Sequence, residues 1–138
     1  MTRMYLIDKS AMARWRRPAA AKRLDELSDL GLLAVCGAVE IEVLYSARNS
    51  VEAARMVEQL RWFDRLPMPD EVWDAALSTQ AAAIRKGNHR ALSTADLLIA
   101  ATAARHDAIV LHYDGDYDQI AAITGQATEW VVPPGTAD

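Results

Sequence analysis

Short apolar runs alternate along this chain with longer stretches whose apolar positions recur every three or four residues. Met4-Tyr5-Leu6-Ile7 ends abruptly at Asp8 and reads as a buried strand. Leu32 to Cys36 reads as a second strand, and Ala108 to Tyr113 is the most strand-like segment of all. Thr128 to Val132 supplies a last one. Between them the spacing predicts a helical stretch from Ser10, with Pro18 where a helix can begin, Leu24, Leu27 and Leu30 at helical spacing, and Gly31 as its stop. Helices are predicted over 38–48 and 50–63, the latter with Met56, Leu60 and Phe63 on one face. Leu66-Pro67-Met68-Pro69 breaks the pattern and is predicted to hold a short edge strand, where proline is tolerated. Asp70 is predicted to cap a long helix through Trp73, Leu77 and Ile84 to Gly87. A polar loop, a helix from Ser93 to about His106 and a short helix around 117–123 complete the reading. Strands alternating with helices predict an α/β fold with a mainly parallel central sheet covered on both faces.

Length and composition narrow the class. The 138 residues fit one domain, 1–138, and the 51% hydrophobic content excludes a disordered or low-complexity chain. One cysteine, Cys36, permits neither an internal disulfide nor a cysteine-ligated zinc site. The first residues lack the apolar stretch of a secretory signal, and the longest nearly apolar run, Leu97 to Ala104, is too short to span a bilayer. A soluble, cytoplasmic protein with no membrane partner is expected.

The net charge of −4 argues against an indiscriminate nucleic-acid binder. Its distribution changes the picture. Residues 1–23 hold seven bases (Arg3, Lys9, Arg14, Arg16, Arg17, Lys22, Arg23) against the single acid Asp8, and the remaining chain is acidic. Such an edge reads either as a phosphate-contacting surface or as a solvated helix face.

In parallel α/β sheets, ligands bind at the carboxyl ends of the strands. Asp8 follows the first strand directly, and Asp114, Asp116 and Asp118 follow the strand of residues 108–113. Asp96 lies in the first turn of the preceding helix, and Glu40 and Glu42 in the helix after the second strand. Two residues apart means about 200° around a helix, so only one of these glutamates can face a common pocket. Each acid also has a local structural reading: Asp8 as a cap, Ser93-Thr94-Ala95-Asp96 as a capping box, Asp114-Gly115-Asp116 as a turn. Convergence is what gives them chemistry. Two carboxylates ~4 Å apart repel by about 4 kcal/mol at an effective dielectric of 20, so four or five together call for a cation. An all-oxygen donor set selects a hard one, Mg²⁺ or Mn²⁺. An EF-hand counted from Asp114 fails, because Gln119 and Gly125 occupy the positions that need glycine and glutamate. The D-x-D after an apolar strand is also similar to haloacid-dehalogenase-type phosphatases, but those carry it after their first strand.

In order and spacing, the acids resemble those of the PIN-domain ribonucleases, specifically the VapC toxins of type II VapBC toxin–antitoxin modules. Four segments carry the likeness: Tyr5-Leu6-Ile7-Asp8-Lys9-Ser10, Glu42-Val43-Leu44-Tyr45-Ser46-Ala47-Arg48, Thr94-Ala95-Asp96-Leu97-Leu98-Ile99-Ala100-Ala101, and Leu111 through Ala121 with Asp114-Gly115-Asp116-Tyr117. The likeness runs from about Met4 to Val132. It implies a three-layer α/β/α sandwich and Mg²⁺- or Mn²⁺-dependent endonucleolytic cleavage of RNA, often transfer or ribosomal RNA in the family, leaving 5′-phosphate and 3′-hydroxyl ends. Carried over by position, Asp8, Glu42, Asp96 and Asp114 are the catalytic and metal-site acids, with Asp116 completing or flanking the set. Ser10 would orient a carboxylate or water. Lys9 and Ser46 depart from the family pattern, where a small residue and glycine are common. The resemblance further implies RNA contacts from Lys9, Arg14, Arg16, Arg17, Lys22 and Arg23, a VapB-type antitoxin on a groove beside the helices of 18–30 and 50–63, and homodimers or toxin–antitoxin hetero-oligomers. A catalytically silent PIN-like module and a metal-dependent phosphatase are the alternatives. Trp62, Phe63 and Trp73 are expected in the core and His112 in a structural position, with His89 and His106 solvated. Trp15 is open to base stacking.

Overall fold

The computed structural model describes residues 2–138. The chain runs β1 (Tyr5–Ile7), α1 (Lys9–Met12), α2 (Pro18–Asp29), β2 (Leu33–Val35), α3 (Gly37–Tyr45), α4 (Ser50–Leu60) and β3 (Asp64–Arg65). It continues through α5 (Glu71–Lys86), a 3-10 turn at His89–Ala91, α6 (Thr94–Arg105), β4 (Ile109–His112), α7 (Asp116–Thr124) and β5 (Thr128–Trp130). The strands form one parallel sheet in the order β3-β2-β1-β4-β5, with β1 central: Leu6 pairs Ala34 on one side and Val110 on the other. Helices cover both faces, giving the three-layer α/β/α sandwich. Among the described residues, no helix is long and apolar enough to cross a membrane.

Local chemistry explains most boundaries. The helical stretch predicted from Ser10 divides into α1 and α2, because the residue before proline is disfavoured in helical conformation: Arg17 is extended and Pro18 opens α2. The edge strand expected at 66–69 lies earlier, at Asp64–Arg65. Pro67 and Pro69 have no N–H to donate, and the ladder ends with Leu66 N–H on Val35 O at 2.8 Å. Asp70 precedes α5 in a helical conformation and makes no side-chain cap bond, so the cap expected there is absent. Gly87 ends α5 at φ 78°, a conformation glycine adopts without strain.

The core is one cluster around Leu6, Ile7, Leu24, Val35, Ile99, Val110, Leu111 and Ile120. Full burial of each such side chain stabilises by roughly 1.5–3 kcal/mol. Its central helix is α6, buried from Asp96 through Ala103. Phe63 packs on the core and against Trp15, ring centroids 6.2 Å apart. Trp62 and Trp73 do not join it: they are 89% and 52% exposed. Trp62 lies beyond the end of α4, where helical spacing no longer dictates which way a side chain faces.

Because every strand runs the same way, their carboxyl ends share one edge. Asp8 follows β1 there, and Asp114 follows β4 two residues on. The fold therefore collects in space the acids that the sequence distributes over more than a hundred residues.

Candidate metal centre

Asp8 is 3% exposed and caps α1. Its Oδ2 accepts from the Ser10 backbone N–H at 2.9 Å and from the Ser10 hydroxyl, and its Oδ1 accepts from the Tyr117 hydroxyl at 2.8 Å. Ser10 Oγ in turn accepts from Tyr113 N–H at 2.9 Å, joining the end of β1 to the turn after β4. Three donors on one carboxylate offset the cost of burying its charge and fix its direction. Ser10 thus bonds the Asp8 carboxylate through both its N–H and its hydroxyl.

Asp96 is 7% exposed, at the third position of α6, within a capping box: its N–H donates to Ser93 Oγ at 3.0 Å while its carboxylate accepts from Ser93 N–H at 3.5 Å. The capping box read from the sequence is present. Burial, then the charges of Asp8 and Asp114, push its carboxyl up to about 7. Asp114 accepts from Asp116 N–H at 3.0 Å, closing the turn that starts α7. One oxygen each from Asp96, Asp114 and Asp116 lie within 4.8 Å of one another, so Asp116 belongs to the closest-set acids. Burial and then Asp114 raise the Asp116 carboxyl as well.

Glu42 is half-buried on α3, and its carboxyl is raised by burial, by Asp8 and by Asp114, with Lys9 opposing. It therefore stands within Coulomb reach of the cluster. Glu40 does not, since it pairs with Arg65 at 2.8 Å. Asp118 points elsewhere too, accepting from Trp130 Nε1 at 3.2 Å. All the donors are carboxylate oxygens, crowded enough to raise one another's proton affinity. That fits a hard divalent ion such as Mg²⁺ or Mn²⁺.

The basic first third is mostly engaged with the protein itself. Arg14 stacks over Tyr113 at 4.6 Å and donates to Ala137 O and Ser10 O. Arg17 donates to Asp138 O at 2.6 Å, and Arg23 pairs with Glu129 at 3.0 Å and contacts Tyr5. Arg16 and Lys22 remain exposed, and Lys9 is half-buried beside Glu42. Trp15 presents its ring to Phe63 and its indole N–H to Asp25. His106 is not simply solvated: its Nε2 lies 2.7 Å from Pro67 O. His89 is half-buried, with Nδ1 enclosed and unpartnered.

Two residues of the site escaped sequence reasoning. Tyr117, fully buried, carries the hydroxyl on Asp8; burial, then Asp8 and Asp96, hold its proton on well above the usual phenol range. His112, also fully buried, accepts Asp114 N–H on Nδ1 at 3.2 Å and packs on Tyr117 and Trp130, with ring centroids 5.0 Å away in each case. Burial lowers its proton affinity, so it is a neutral acceptor. Its structural placement was expected; its bond to Asp114 was not. Tyr117 lies three residues after Asp114, one helical turn on, and that spacing was the available signal.

An apolar groove of 670 Å³ lies beside α3 and α4, lined by Met12, Trp15, Arg16, Val43, Met56, Leu60, Trp62 and Phe63 among others. The stripe of α2 does not contribute, because Leu24 and Leu27 are buried in the core.

Comparison with known proteins agrees with this geometry. Residues 5–123 match the PIN domain family. The chain is 45% identical over 138 residues to ribonuclease VapC21 of Mycobacterium tuberculosis, covering 99% of this chain and all of that one. It is 39% identical to ribonuclease VapC51 of the same organism, over the full length of both. The fold superposes on DNA-bound VapBC from Salmonella typhimurium with TM-score 0.73 at 15% identity, over 95% of this chain and 100% of that one. It superposes on VapBC2 from Rickettsia felis with TM-score 0.75 at 14% identity, over 91% and 97%. The sheet order, the acids gathered at its carboxyl edge and the full-length likeness lead to one conclusion: this chain belongs to the PIN-domain family, in its VapC branch.

Proposed function

We propose that the protein is the toxin of a type II toxin–antitoxin pair and a metal-dependent endoribonuclease. The observation that carries this reading is the set of Asp96, Asp114 and Asp116 oxygens within 4.8 Å of one another, beside a buried Asp8 whose direction is fixed by hydroxyls. Relatives named as ribonucleases over the whole chain length support the choice of RNA. Asp8, Asp96, Asp114 and Asp116 would hold Mg²⁺ or Mn²⁺. Such an ion supplies charge compensation and water activation when bound.

The protein's own residues do the rest. Glu42, with its carboxyl raised by burial and by Asp8, is suited to take the proton of the attacking water. Water oxygen then bonds to phosphorus as the P–O3′ bond breaks, and the leaving 3′ oxygen takes a proton from solvent, giving a 5′-phosphate and a 3′-hydroxyl. Ser10 and Tyr117 keep Asp8 from turning away. Lys9, beside Glu42, and the exposed Arg16 and Lys22 are available to phosphates; Arg14, Arg17 and Arg23 reach them only by leaving their present partners.

The apolar groove next to the site suits an apolar segment of a VapB-type antitoxin, in line with the VapBC complexes that share the fold. The exposed Trp73, Leu77 and Ile84 on α5 suit contact with a second copy.

The test is cleavage of total cellular RNA by purified, antitoxin-free protein with Mg²⁺, with Mn²⁺ and with EDTA, alongside Asp8→Asn and Asp96→Asn. Metal-dependent cleavage lost in both variants is the expected result. No cleavage by folded, metal-supplied protein overturns the reading in favour of a silent binding module. Release of phosphate from a phosphomonoester without RNA cleavage overturns it in favour of a phosphatase.

A further inference from the structure

The acids pose an electrostatic problem for any polyanion that approaches them, and the basic residues expected to offset it are largely engaged elsewhere: Arg14, Arg17 and Arg23 all bond to the protein's own groups. A second basic segment, Arg85-Lys86-Gly87-Asn88-His89-Arg90, contains no acid. Arg85, Lys86 and Arg90 are exposed and, among the described residues, form no ion pair.

Its place follows from how α5 and α6 are fastened. Arg105 at the end of α6 pairs with Glu71 at the start of α5 at 3.4 Å, and His106 Nε2 meets Pro67 O at 2.7 Å. The two helices therefore run antiparallel, with the end of α5 beside the start of α6, where Asp96 lies. The 16 residues of α5 outnumber the 12 of α6 by one turn. At 1.5 Å per residue the last turn of α5 projects about 6 Å past the first turn of α6. Arg85 and Lys86 occupy that projecting turn, and Arg90 lies in the 3-10 turn leading back to Ser93. The segment therefore forms a projecting positive lip at the end of the α5–α6 pair where Asp96 lies.

Resting on the ribonuclease reading, we infer that this lip is the phosphate-binding rail for the RNA strand entering the site. Arg85 and Lys86 also suit the negative end of their helix, but that does not account for Arg90, which lies beyond it. RNA phosphates match the lip in charge, and a strand bound there would run along the end of the α5–α6 pair that carries Asp96.

The experiment compares wild type, R85Q/K86Q/R90Q and the control R16Q/K22Q. Binding of a labelled single-stranded RNA oligonucleotide is followed by fluorescence anisotropy in EDTA over a series of KCl concentrations, and KM for RNA cleavage is measured with Mn²⁺. The triple variant should bind roughly tenfold or more weakly, with the slope of log K against log salt reduced by about 2, near 0.7 per lost phosphate contact. Its KM should rise while its Mn²⁺ affinity stays at the wild-type value, and R16Q/K22Q should show the smaller effect. If the triple variant unfolds, R90Q, outside any α-helix, carries the test with one-third of the slope change. An unchanged slope, an equal loss in the control, or a lowered melting temperature without weaker binding overturns the inference. Wild type that binds RNA through the lip yet never cleaves it overturns the ribonuclease reading and leaves the lip standing.

Discussion

The Tyr117 hydroxyl donates to Asp8 Oδ1 at 2.8 Å across 109 residues of sequence. With the Ser10 hydroxyl on Oδ2, it engages both oxygens of the most buried acid of the site. Tyr117→Phe keeps the ring that packs on His112 and removes only this donor. A hydrogen bond to a charged group contributes about 1.5–3 kcal/mol. The variant should therefore melt several degrees lower, still cooperatively, and bind Mn²⁺ more weakly. Melting and Mn²⁺ affinity both identical to wild type would show that the hydroxyl does not hold Asp8.

Asp96 and Asp8 should separate in stability while agreeing in activity. Asp96 has one weak donor at 3.5 Å and a carboxyl pushed up to about 7, whereas Asp8 has three donors. Asp96→Asn should raise the melting temperature of the metal-free protein at pH 8, because an ionised buried group is replaced by a neutral one of the same shape. Asp8→Asn should lower it, since its amide nitrogen cannot accept the bonds the carboxylate does. Both should lose cleavage by at least about a hundredfold, a size usual for removing a preorganised charge-stabilising group. Calorimetry and a gel assay on the same preparations decide it.

A pH dependence follows from Asp96. Its folded value near 7 lies above its ordinary 3.8, so between these limits the folded state holds a proton that the unfolded state has lost. Its contribution to stability therefore falls as pH rises through this window; below it both states are protonated, and above about 7 the full cost is present. In metal-free protein the melting-temperature gap between Asp96→Asn and wild type should widen from pH 4 to pH 7 and then level off. Metal competes with that same proton, so Mn²⁺ affinity should climb with pH up to about 7. A gap constant from pH 4 to pH 8 would contradict the assignment.

Trp62 offers a clean probe of the apolar groove, because it lines the groove and is 89% exposed in the free protein. Trp62→Ala should leave the melting temperature within a degree or two. If the groove seats the antitoxin, it should weaken capture of the cognate antitoxin by roughly thirtyfold or more, the loss of an interface hot spot. Metal-dependent RNA cleavage by the free variant should persist. Full inhibition by antitoxin at wild-type concentrations would place the docking surface elsewhere.

Much of this molecule was legible in its residues. Short apolar runs marked β1, β2 and β4, since a strand buried on both faces needs a continuous apolar run. Strand–helix alternation implied parallel order, and that order alone gathers Asp8, Asp96 and Asp114 at one edge. The choice of Glu42 over Glu40 rested on helical angle and motif, and the Arg65 partner of Glu40 gives its physical counterpart. These features follow from local periodicity and chain direction, which sequence carries directly.

Other features depend on which distant groups meet. Basic residues near the start of the chain read either as a phosphate-contacting surface or as a solvated helix face, yet Arg14, Arg17 and Arg23 find partners at Tyr113, Ala137, Asp138 and Glu129, more than a hundred residues away or nearly so. Trp62 has the composition of a core residue and stands in solvent, because α4 ends at Leu60, two residues before it. The hydroxyl clamp on Asp8 and the projecting end of α5 exist only after packing, for neither a side chain's partner nor a helix's overhang is encoded in its own window of sequence. Sequence determined the elements, their direction and the acids they carry. Only tertiary structure decided which of those charges are already satisfied and which are left to meet a ligand, because that depends on long-range contacts made after the elements form.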